Sequence, residues 1–231
     1  MLRAKGILAG VGLGVALSLN AGGAVLYVST FDSNDEGWLD RDASEMAVSF
    51  NGSFGNGAGS LAGVFASQGI PTPETDAFRA GGSTAGGAFA GDYTAVNAGE
   101  FVFSFYAEDV LPSDLVLRLN GGSGTFFRSV GAQVSGIGSW YTVTVPLVWD
   151  ASWVGSGAGA FATALTAVNW IDVQVTRNGG DGQTYYLDNF ELKEASESNN
   201  GGGGDPLVPE PQLGIFALCL GALLLARRRL A

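Results

Sequence analysis

Short runs in which apolar and polar residues alternate recur through the middle of the chain. Alternation with a period of two and one apolar face is typical of half-buried β-strands. The clearest runs are residues 100–106, 114–120, 140–147, 169–177 and 184–192, and weaker ones are residues 24–31, 45–50 and 86–93. Because glycine-rich segments separate these runs and no long helical period interrupts them, about eight short strands predict an all-β fold, an antiparallel β-sandwich.

Several segments depart from the strand pattern. Residues 51–60 and 81–87 are rich in glycine, which predicts turns or loops. Residues 161–168 predict a short helix, since Thr163 can cap it and Ala, Leu and Val follow. Residues 195–207 contain four consecutive glycines among Ser, Asn and Glu, a composition that cannot bury a core. They are predicted to form a flexible linker after the folded domain.

The first 24 residues have the three parts of a secretory signal. A basic start precedes an apolar stretch at residues 7–19, and small residues follow at 21–24. Glycines interrupt the apolar stretch, which favours a cleaved signal peptide helix over a spanning helix. We therefore expect signal peptidase to remove residues 1–24, so that the exported chain begins near Val25.

The last 24 residues, 208–231, combine a proline-containing motif, an apolar run and a basic end. The motif is Val208, Pro209, Glu210 and Pro211, and the basic end is Arg227, Arg228 and Arg229. The apolar run of residues 213–226 has 14 residues. At ~1.5 Å per residue such a helix reaches about 21 Å, less than the ~30 Å hydrocarbon core, so it is a poor permanent anchor. The arginines favour a cytoplasmic C-terminus, with the motif on the outer side.

These parts, in this order and spacing, resemble the PEP-CTERM sorting signal of Gram-negative bacteria. The resemblance implies recognition and processing by a membrane protease of the exosortase type. It also implies an exported, inner-membrane-tethered precursor with transient membrane contact through the C-terminal helix, and a mature protein at the cell surface or in the extracellular matrix. An ordinary tail anchor with a proline-containing linker is the alternative.

Composition excludes several kinds of chemistry. The chain has no histidine, which excludes Ser-His-Asp catalysis and histidine-ligated metal sites, and its one cysteine, Cys219, lies in the C-terminal apolar run. Between residues 25 and 205 there are 21 acidic and 6 basic residues, a net charge of −15. Such a charge repels nucleic acid and attracts cations. Paired-carboxylate chemistry and an all-oxygen calcium site remain possible.

Four short aromatic-rich motifs resemble strands of galactose-binding-like jelly rolls, of which carbohydrate-binding modules are members. They are FDSNDEGW at residues 31–38, WYTV at 140–143, VNWIDV at 168–173 and YYLDNFEL at 185–192. The resemblance implies a jelly-roll domain at residues 25–194. It also implies a structural calcium between the opening segment and the last strand.

The positions that match this calcium site are Asp32 or Asp35 at the start and Asp188 at the end. Simple alternation also places Asp188 on one face with Tyr186, Phe190 and Leu192. A bare carboxylate among apolar side chains is costly, and a cation or an arginine would relieve that cost. The alternative is a bulge that turns Asp188 towards water.

Several strand residues face away from the predicted core and are candidates for ligand binding. They are Tyr106, Arg118, Trp140, Trp170, Asp172 and Gln174. Exposed tryptophans can stack on sugar rings while polar groups orient hydroxyls, so these residues predict a single sugar-binding surface. In the alternative, loops cover the tryptophans, which then belong to a second small core.

The sequence as a whole predicts a non-enzymatic binding or structural protein, with polysaccharide as a candidate partner, and no catalytic residue is assigned. The alternative is a polysaccharide-active glycoside hydrolase or lyase with two carboxylates. The candidate pairs are Glu108 with Asp109, and Asp172 with Glu191. Facing carboxyl groups about 5–9 Å apart in a cleft would favour hydrolysis.

Overall fold

The computed structural model describes residues 23–41, 45–68 and 74–196. Nearly all of the predicted signal peptide and linker lies outside these residues, as do the sorting motif and the C-terminal hydrophobic helix. Within the described ranges, no helix has the length and apolar character needed to cross a bilayer.

Twelve strands in these ranges form two antiparallel sheets. Their bounds are Val25–Ser29 (β1), Leu39–Asp40 (β2), Met46–Asn51 (β3), Ser60–Phe65 (β4), Thr75–Gly81 (β5), Ala98–Ala107 (β6), Asp114–Gly121 (β7), Gly124–Ser129 (β8), Trp140–Pro146 (β9), Trp153–Val154 (β10), Val168–Thr176 (β11) and Gln183–Glu194 (β12). Sheet A has the order β3-β4-β12-β6-β9, with β1 also paired to β12. Sheet B has the order β10-β8-β7-β11-β5-β2.

The two sheets enclose one hydrophobic core, which confirms the predicted all-β sandwich. Alternate residues of the clearest predicted strands point inward, and these are Phe101, Phe103 and Phe105 of β6, Leu115, Leu117 and Leu119 of β7, Val143 and Val145 of β9, and Ile171, Val173 and Val175 of β11. All of them are fully buried. Because residues 23–196 contain both sheets and this shared core, we expect that segment to fold without the rest of the chain.

The helix begins earlier than predicted. It spans Ala158–Leu165 (α1), and Gly157 occupies the N-cap without a side-chain hydrogen bond. Thr163, predicted as the cap, lies within the helix, where its hydroxyl donates a hydrogen bond to the carbonyl oxygen of Gly159 (3.0 Å). Val168 starts β11. The predicted boundary was wrong because an interior threonine can bond to the preceding turn and so does not mark a helix start.

The weak strand predicted at residues 86–93 does not form. A short 3-10 turn occupies Thr84–Gly87, further turns follow, and Gly91 makes only an isolated bridge to Val168. Phe89 and Tyr93 are nevertheless buried in the core. Apolar residues in a loop that covers the end of a sandwich therefore produced a false strand pattern.

Five strands were not predicted from the sequence, and these are β2, β4, β5, β8 and β10. Of these, β4 and β5 show why. In β4, a Cβ on Gly63 would lie 2.6 Å from the Met46 sulfur and the Phe78 ring, so only glycine fits there. In β5, Asp76 is buried and accepts backbone N–H bonds from Arg41, Met46 and Ala77. A glycine and a buried acid at inward positions break the alternation on which strand prediction depends.

Candidate functional site

The predicted ligand residues lie on two different faces of the sandwich. Tyr106 of β6 and Trp140 of β9 are on the outer face of sheet A. Arg118 of β7 and Trp170, Asp172 and Gln174 of β11 are on the outer face of sheet B. The sequence predicted one surface, but these residues form two separate surfaces, one on each sheet.

On the outer face of sheet A, three aromatic residues lie side by side on neighbouring strands. Trp140 is paired with Tyr106, and Tyr106 with Tyr186 of β12. Phe54 comes from the loop between β3 and β4 and contacts all three rings, with centroid distances of 5.7 Å to Trp140, 4.9 Å to Tyr106 and 4.6 Å to Tyr186. The Phe54 and Trp140 rings are stacked, with an interplanar angle of 24°.

Hydrogen bonds hold this covering loop (residues 52–59) on the sheet. The backbone N–H of Asn56 donates to Asp188 (2.6 Å), and the Asn56 side chain donates to the Ser104 hydroxyl (3.0 Å). The Ser60 hydroxyl donates to the carbonyl oxygen of Phe54 (2.6 Å). On this face the loop contacts the tryptophan, as in the alternative of a second small core, although Trp140 stays partly exposed.

Asp188 lies beneath the covering loop and not on the inward face. Asn189 has a positive φ of 47°, and the pairing of β12 with β6 shifts after Asp188, so Phe190 and Leu192 point inward while Asp188 points outward. It is still buried, and its two oxygens accept N–H bonds from Asn56 (2.6 Å) and Asn189 (2.7 Å). The predicted apolar surroundings were thus wrong. The bulge given as the alternative is present and turns Asp188 to the outer face, but the residue is buried there and does not face water.

Burial raises the pKa of Asp188 to about 6, although its two backbone hydrogen bonds act in the opposite direction. The negative charge of Asp32 raises the Asp188 pKa further. Asp35 instead closes its own turn, since its carboxylate accepts the N–H of Gly37 (3.0 Å).

The described residues contain no group of three or more His, Cys, Asp or Glu side chains that could hold a metal ion. Calcium takes six to eight oxygen ligands. Asp32 and Asp188 alone therefore do not form a full ligand set, and the remaining oxygens would have to come from backbone carbonyls and water. Calcium binding stays a prediction.

The outer face of sheet B has a row of side chains that crosses all six strands. In register from one edge to the other, this transverse row is Val154, Phe127, Arg118, Asp172, Arg79 and Leu39. Its centre is charged and its ends are apolar. Val154 and Leu39 are 65% and 64% exposed. At roughly 4.8 Å between strands, the row is about 24 Å long.

An ion triad forms the centre of this row. Asp172 is fully buried and accepts bonds from Nε (2.7 Å) and Nη2 (2.5 Å) of Arg118. Its Oδ2 also accepts bonds from Nε (3.1 Å) and Nη2 (2.9 Å) of Arg79. A buried carboxylate needs such partners, because an isolated one would be strongly destabilising. The triad therefore fixes both guanidinium groups in place.

Trp170 lies beside the triad and borders a groove. The Arg79 guanidinium carbon is 4.1 Å from the centre of the indole ring, a cation–π contact, and the ring remains partly exposed. The cross-strand neighbour of Trp170 on β5 is Gly81, where an added Cβ would meet no atom within 4 Å. The groove has a volume of about 420 Å³, and Trp170, Arg79, Gly81, Ser83 and Leu39 are among the residues that line it.

Polar side chains surround the indole on its other side. A bulge in the pairing of β11 with β7 brings the Asn169 side chain to Asn120, to which it donates a hydrogen bond (3.0 Å). Asn120 in turn donates to the Thr125 hydroxyl (2.9 Å). Gln174 lies next to the transverse row, between Val116 and Ala77, and is partly exposed. This face thus combines one aromatic ring with several hydrogen-bonding groups.

The structure also places the carboxylates proposed for the enzymatic alternative. Asp172 is bound by two arginines in sheet B, whereas Glu191 lies on β12 in sheet A next to Lys193 (3.0 Å). These two acids do not face each other across a cleft. Glu108 and Asp109 follow β6 in an exposed bend, where Glu108 accepts a hydrogen bond from the Tyr186 hydroxyl (3.4 Å).

Sequence reasoning missed Arg79, Leu39 and Phe127 on the sheet B face. Arg79 was missed because β5 was not recognised, and Leu39 because β2 has only two residues. Phe127 follows the inward Phe126, so the FF pair in β8 gave no sign of which ring is outside. The available signal for Arg79 was its position between the small apolar residues Ala77 and Ala80, just before the glycine pair 81–82 that ends the strand.

No protein-family model matches the sequence, and neither does any curated protein sequence. Solved structures do match. A family 11 carbohydrate-binding module from Clostridium thermocellum aligns with a TM-score of 0.50 and 13% identity, over 77% of this chain and 98% of the module. An exo-β-agarase aligns with a TM-score of 0.50 and 12% identity, over 74% of this chain and 25% of the agarase.

A family 22 carbohydrate-binding module of C. thermocellum xylanase Xyn10B aligns with a TM-score of 0.47 and 14% identity, over 76% of this chain and 98% of the module. At these identities the similarity concerns the fold alone. The described part of this chain is an antiparallel jelly-roll sandwich, and its fold is similar to that of the family 11 carbohydrate-binding module.

Proposed function

We propose that this protein binds polysaccharide, without catalysing a reaction, through the outer face of sheet B. The observation that supports this most is Trp170, a partly exposed indole held by Arg79 beside an open groove. Aromatic rings stack on the apolar faces of sugars, while fixed polar groups orient the hydroxyls. A ring fixed by an ion triad loses little conformational entropy when a ligand binds.

The arrangement around Trp170 suits an extended ligand. Asn120, Asn169 and Gln174 offer donors and acceptors on one part of the face, and Leu39 extends the groove to the edge of the sheet. The groove volume of about 420 Å³ is within the range of small-ligand sites. Phe127 and Val154, in the same transverse row, are exposed, so further sugar units of an extended ligand can contact them.

The structural comparisons support a binding role by analogy. The family 11 module to which this chain is similar in fold was solved with a β-1,3-1,4-mixed-linked tetrasaccharide. Because fold does not determine function, the proposal depends on the groups around Trp170 and not on that similarity.

A glycan array on the segment of residues 23–196 tests the proposal. We expect retention of at least one polysaccharide by the wild type and loss of that binding in Trp170→Ala, with the melting temperature confirming that the variant is folded. If the folded wild type retains no glycan, polysaccharide binding is wrong and a structural role remains.

We also propose that the domain acts outside the cell after export and sorting through its C-terminal tail. The motif Val208, Pro209, Glu210 and Pro211, the short apolar run and the arginines support this, although they lie outside the described residues. In a Gram-negative host with an exosortase, Glu210→Ala should accumulate at a higher mass than the processed wild type. A fully processed variant of unchanged mass would contradict sorting by this motif.

A further inference from the structure

Five of the six basic residues between residues 25 and 205, all except Arg41, form the ion pairs that follow, and they are not neutralised to the same extent. Arg128 pairs with Asp150 (2.9 Å), Arg177 with Glu74 (2.7 Å) and Lys193 with Glu191 (3.0 Å), so each has a carboxylate of its own. Arg79 and Arg118, in contrast, share Asp172. The triad therefore has a net charge of +1 inside a domain whose overall charge is strongly negative.

The excess charge is accessible at Arg79. The side chain of Asp172 is fully buried, and that of Arg79 is 28% exposed. Nε and Nη2 of Arg79 bind Asp172, whereas Nη1 has no hydrogen-bond partner among the described residues. Arg79 lines the same groove as Trp170, and the other charged residues of the lining, Asp40 and Arg41, are of opposite sign and cancel in the net charge. Two N–H donors of a fixed guanidinium are thus free for a ligand in the groove.

A carboxylate fits this environment better than a hydroxyl does. Hydrogen bonds between a guanidinium and a carboxylate are charge-assisted and about twice as strong as neutral ones. The domain's overall negative charge opposes an acidic polymer, but at physiological salt that field is screened beyond ~8 Å, whereas a direct contact is not. The local positive charge can therefore determine which sugar is bound.

We infer that the sheet B face selects a polysaccharide with carboxylate-bearing sugars, and that a sugar carboxylate accepts hydrogen bonds from Nη1 of Arg79 beside Trp170. This inference rests on the proposed polysaccharide binding and goes beyond it by naming the ligand class.

The test compares polygalacturonate with its methyl-esterified form, which has the same backbone without the charge. Binding of the segment 23–196 is measured by calorimetry for the wild type, Arg79→Gln and Lys193→Gln. Both variants lose one positive charge, but Lys193 lies on sheet A. We expect the wild type to prefer the acidic polymer and Arg79→Gln to lose about tenfold in affinity for it, with Lys193→Gln unchanged.

Three results would overturn the inference. Equal affinity for the two polymers would mean that the ligand is neutral. Equal losses in Arg79→Gln and Lys193→Gln, together with equal binding of dextran sulfate, would mean that only general charge attraction is at work. Retention of array glycans with no binding to either polymer would leave polysaccharide binding intact and remove the carboxylate preference, whereas no glycan binding at all would contradict the proposed function itself.

Discussion

The outer faces of the two sheets both carry tryptophan, and the difference between them lies in what contacts the ring. On sheet A, Trp140 stacks on Phe54 of the covering loop, and hydrogen bonds from Asn56 hold that loop in place. On sheet B, Trp170 is held by an arginine, and the cross-strand position next to it is Gly81. One ring stabilises the protein's own loop, and the other borders a groove.

This comparison shows that an outward aromatic residue is a candidate for binding only when its surroundings leave room for a ligand. Phe54 contacts Trp140, Tyr106 and Tyr186 at once, so the exposed area of that cluster is reduced by the chain itself. Beside Trp170 a substituent would meet open space at Gly81. The two faces should therefore respond differently to the same substitution.

The largest expected effect is on ligand binding. Trp170→Ala should reduce affinity for the retained glycan by about 30-fold or more, which corresponds to ~2 kcal/mol for an aromatic residue central to a binding site. Trp140→Ala is the matched control, and it should leave affinity within about twofold. Calorimetry with the same glycan measures both variants.

The opposite result would reverse the comparison. If Trp140→Ala abolished binding while Trp170→Ala did not, the covering loop would have to move aside for the ligand, and sheet A would be the binding face. Equal losses in both variants with unchanged melting temperatures would mean that neither face acts alone.

The next largest effect is on stability, and we expect it on the sheet A face, whereas the effect on binding is expected on the sheet B face. Phe54→Ala removes three ring contacts under the covering loop and should lower the free energy of unfolding by about 2 kcal/mol, or roughly 4–8 °C in melting temperature. Glycan affinity should not change. Leu39→Ala, at an exposed edge position, is the control and should shift the melting temperature little. An unchanged melting temperature in Phe54→Ala would show that the aromatic cluster under the covering loop does not stabilise the fold.

The strands of the fold could be predicted where alternation is strict, and the site could be predicted only in part. Trp140 and Trp170 were both correctly placed on outward faces, because β9 alternates throughout and β11 alternates from Trp170 onward, after the bulge before that residue. Which sheet each strand joins depends on pairing between distant segments, β9 with β6 and β11 with β7, and local alternation contains no information on that. The sequence therefore could not show that the predicted ligand residues lie on two different sheets.

Asp188 shows a second limit of sequence reasoning. Its predicted neighbours followed from continuous alternation along β12, but the positive φ at Asn189 inserts a bulge and changes the face of every later residue. Asn tolerates this conformation, and nothing else in the local pattern marked the position. The partner that buries Asp188, Asn56, is distant in sequence and lies in a loop.

The calcium prediction concerns the same carboxylate and has a smaller expected effect. If calcium binds at Asp32 and Asp188, 2 mM calcium should stabilise the segment 23–196 by about 1 kcal/mol, as expected for a millimolar site, and EGTA should reverse this. Asp32→Asn should remove the effect, and Asp150→Asn, on sheet B's side of the molecule, should retain it. An unchanged melting temperature with EGTA would contradict the site.

The smallest expected effect is a pH dependence that separates Asp188 from the other acids. Its pKa in the folded protein is raised to about 6 from the ordinary 3.8, mainly by burial, so the folded state binds this proton more tightly than the unfolded chain does. The contribution of Asp188 to the free energy of unfolding therefore increases as the pH falls through about 6, and it is complete below 3.8. Asp92 and Asp150, whose pKa values are lowered by hydrogen bonds, have the opposite sign.

Comparison with Asp188→Asn removes the contribution of those other acids, because both proteins share them. In EGTA, the melting temperature of the wild type relative to Asp188→Asn should rise when the pH is lowered from 7 to 5. A difference that stays constant over this range would show that the bonds from Asn56 and Asn189 keep the carboxylate ionised. In that case the covering loop on sheet A is held by a charged carboxylate, as the arginines on sheet B are by Asp172, and the decisive difference between the two faces is what contacts their tryptophans.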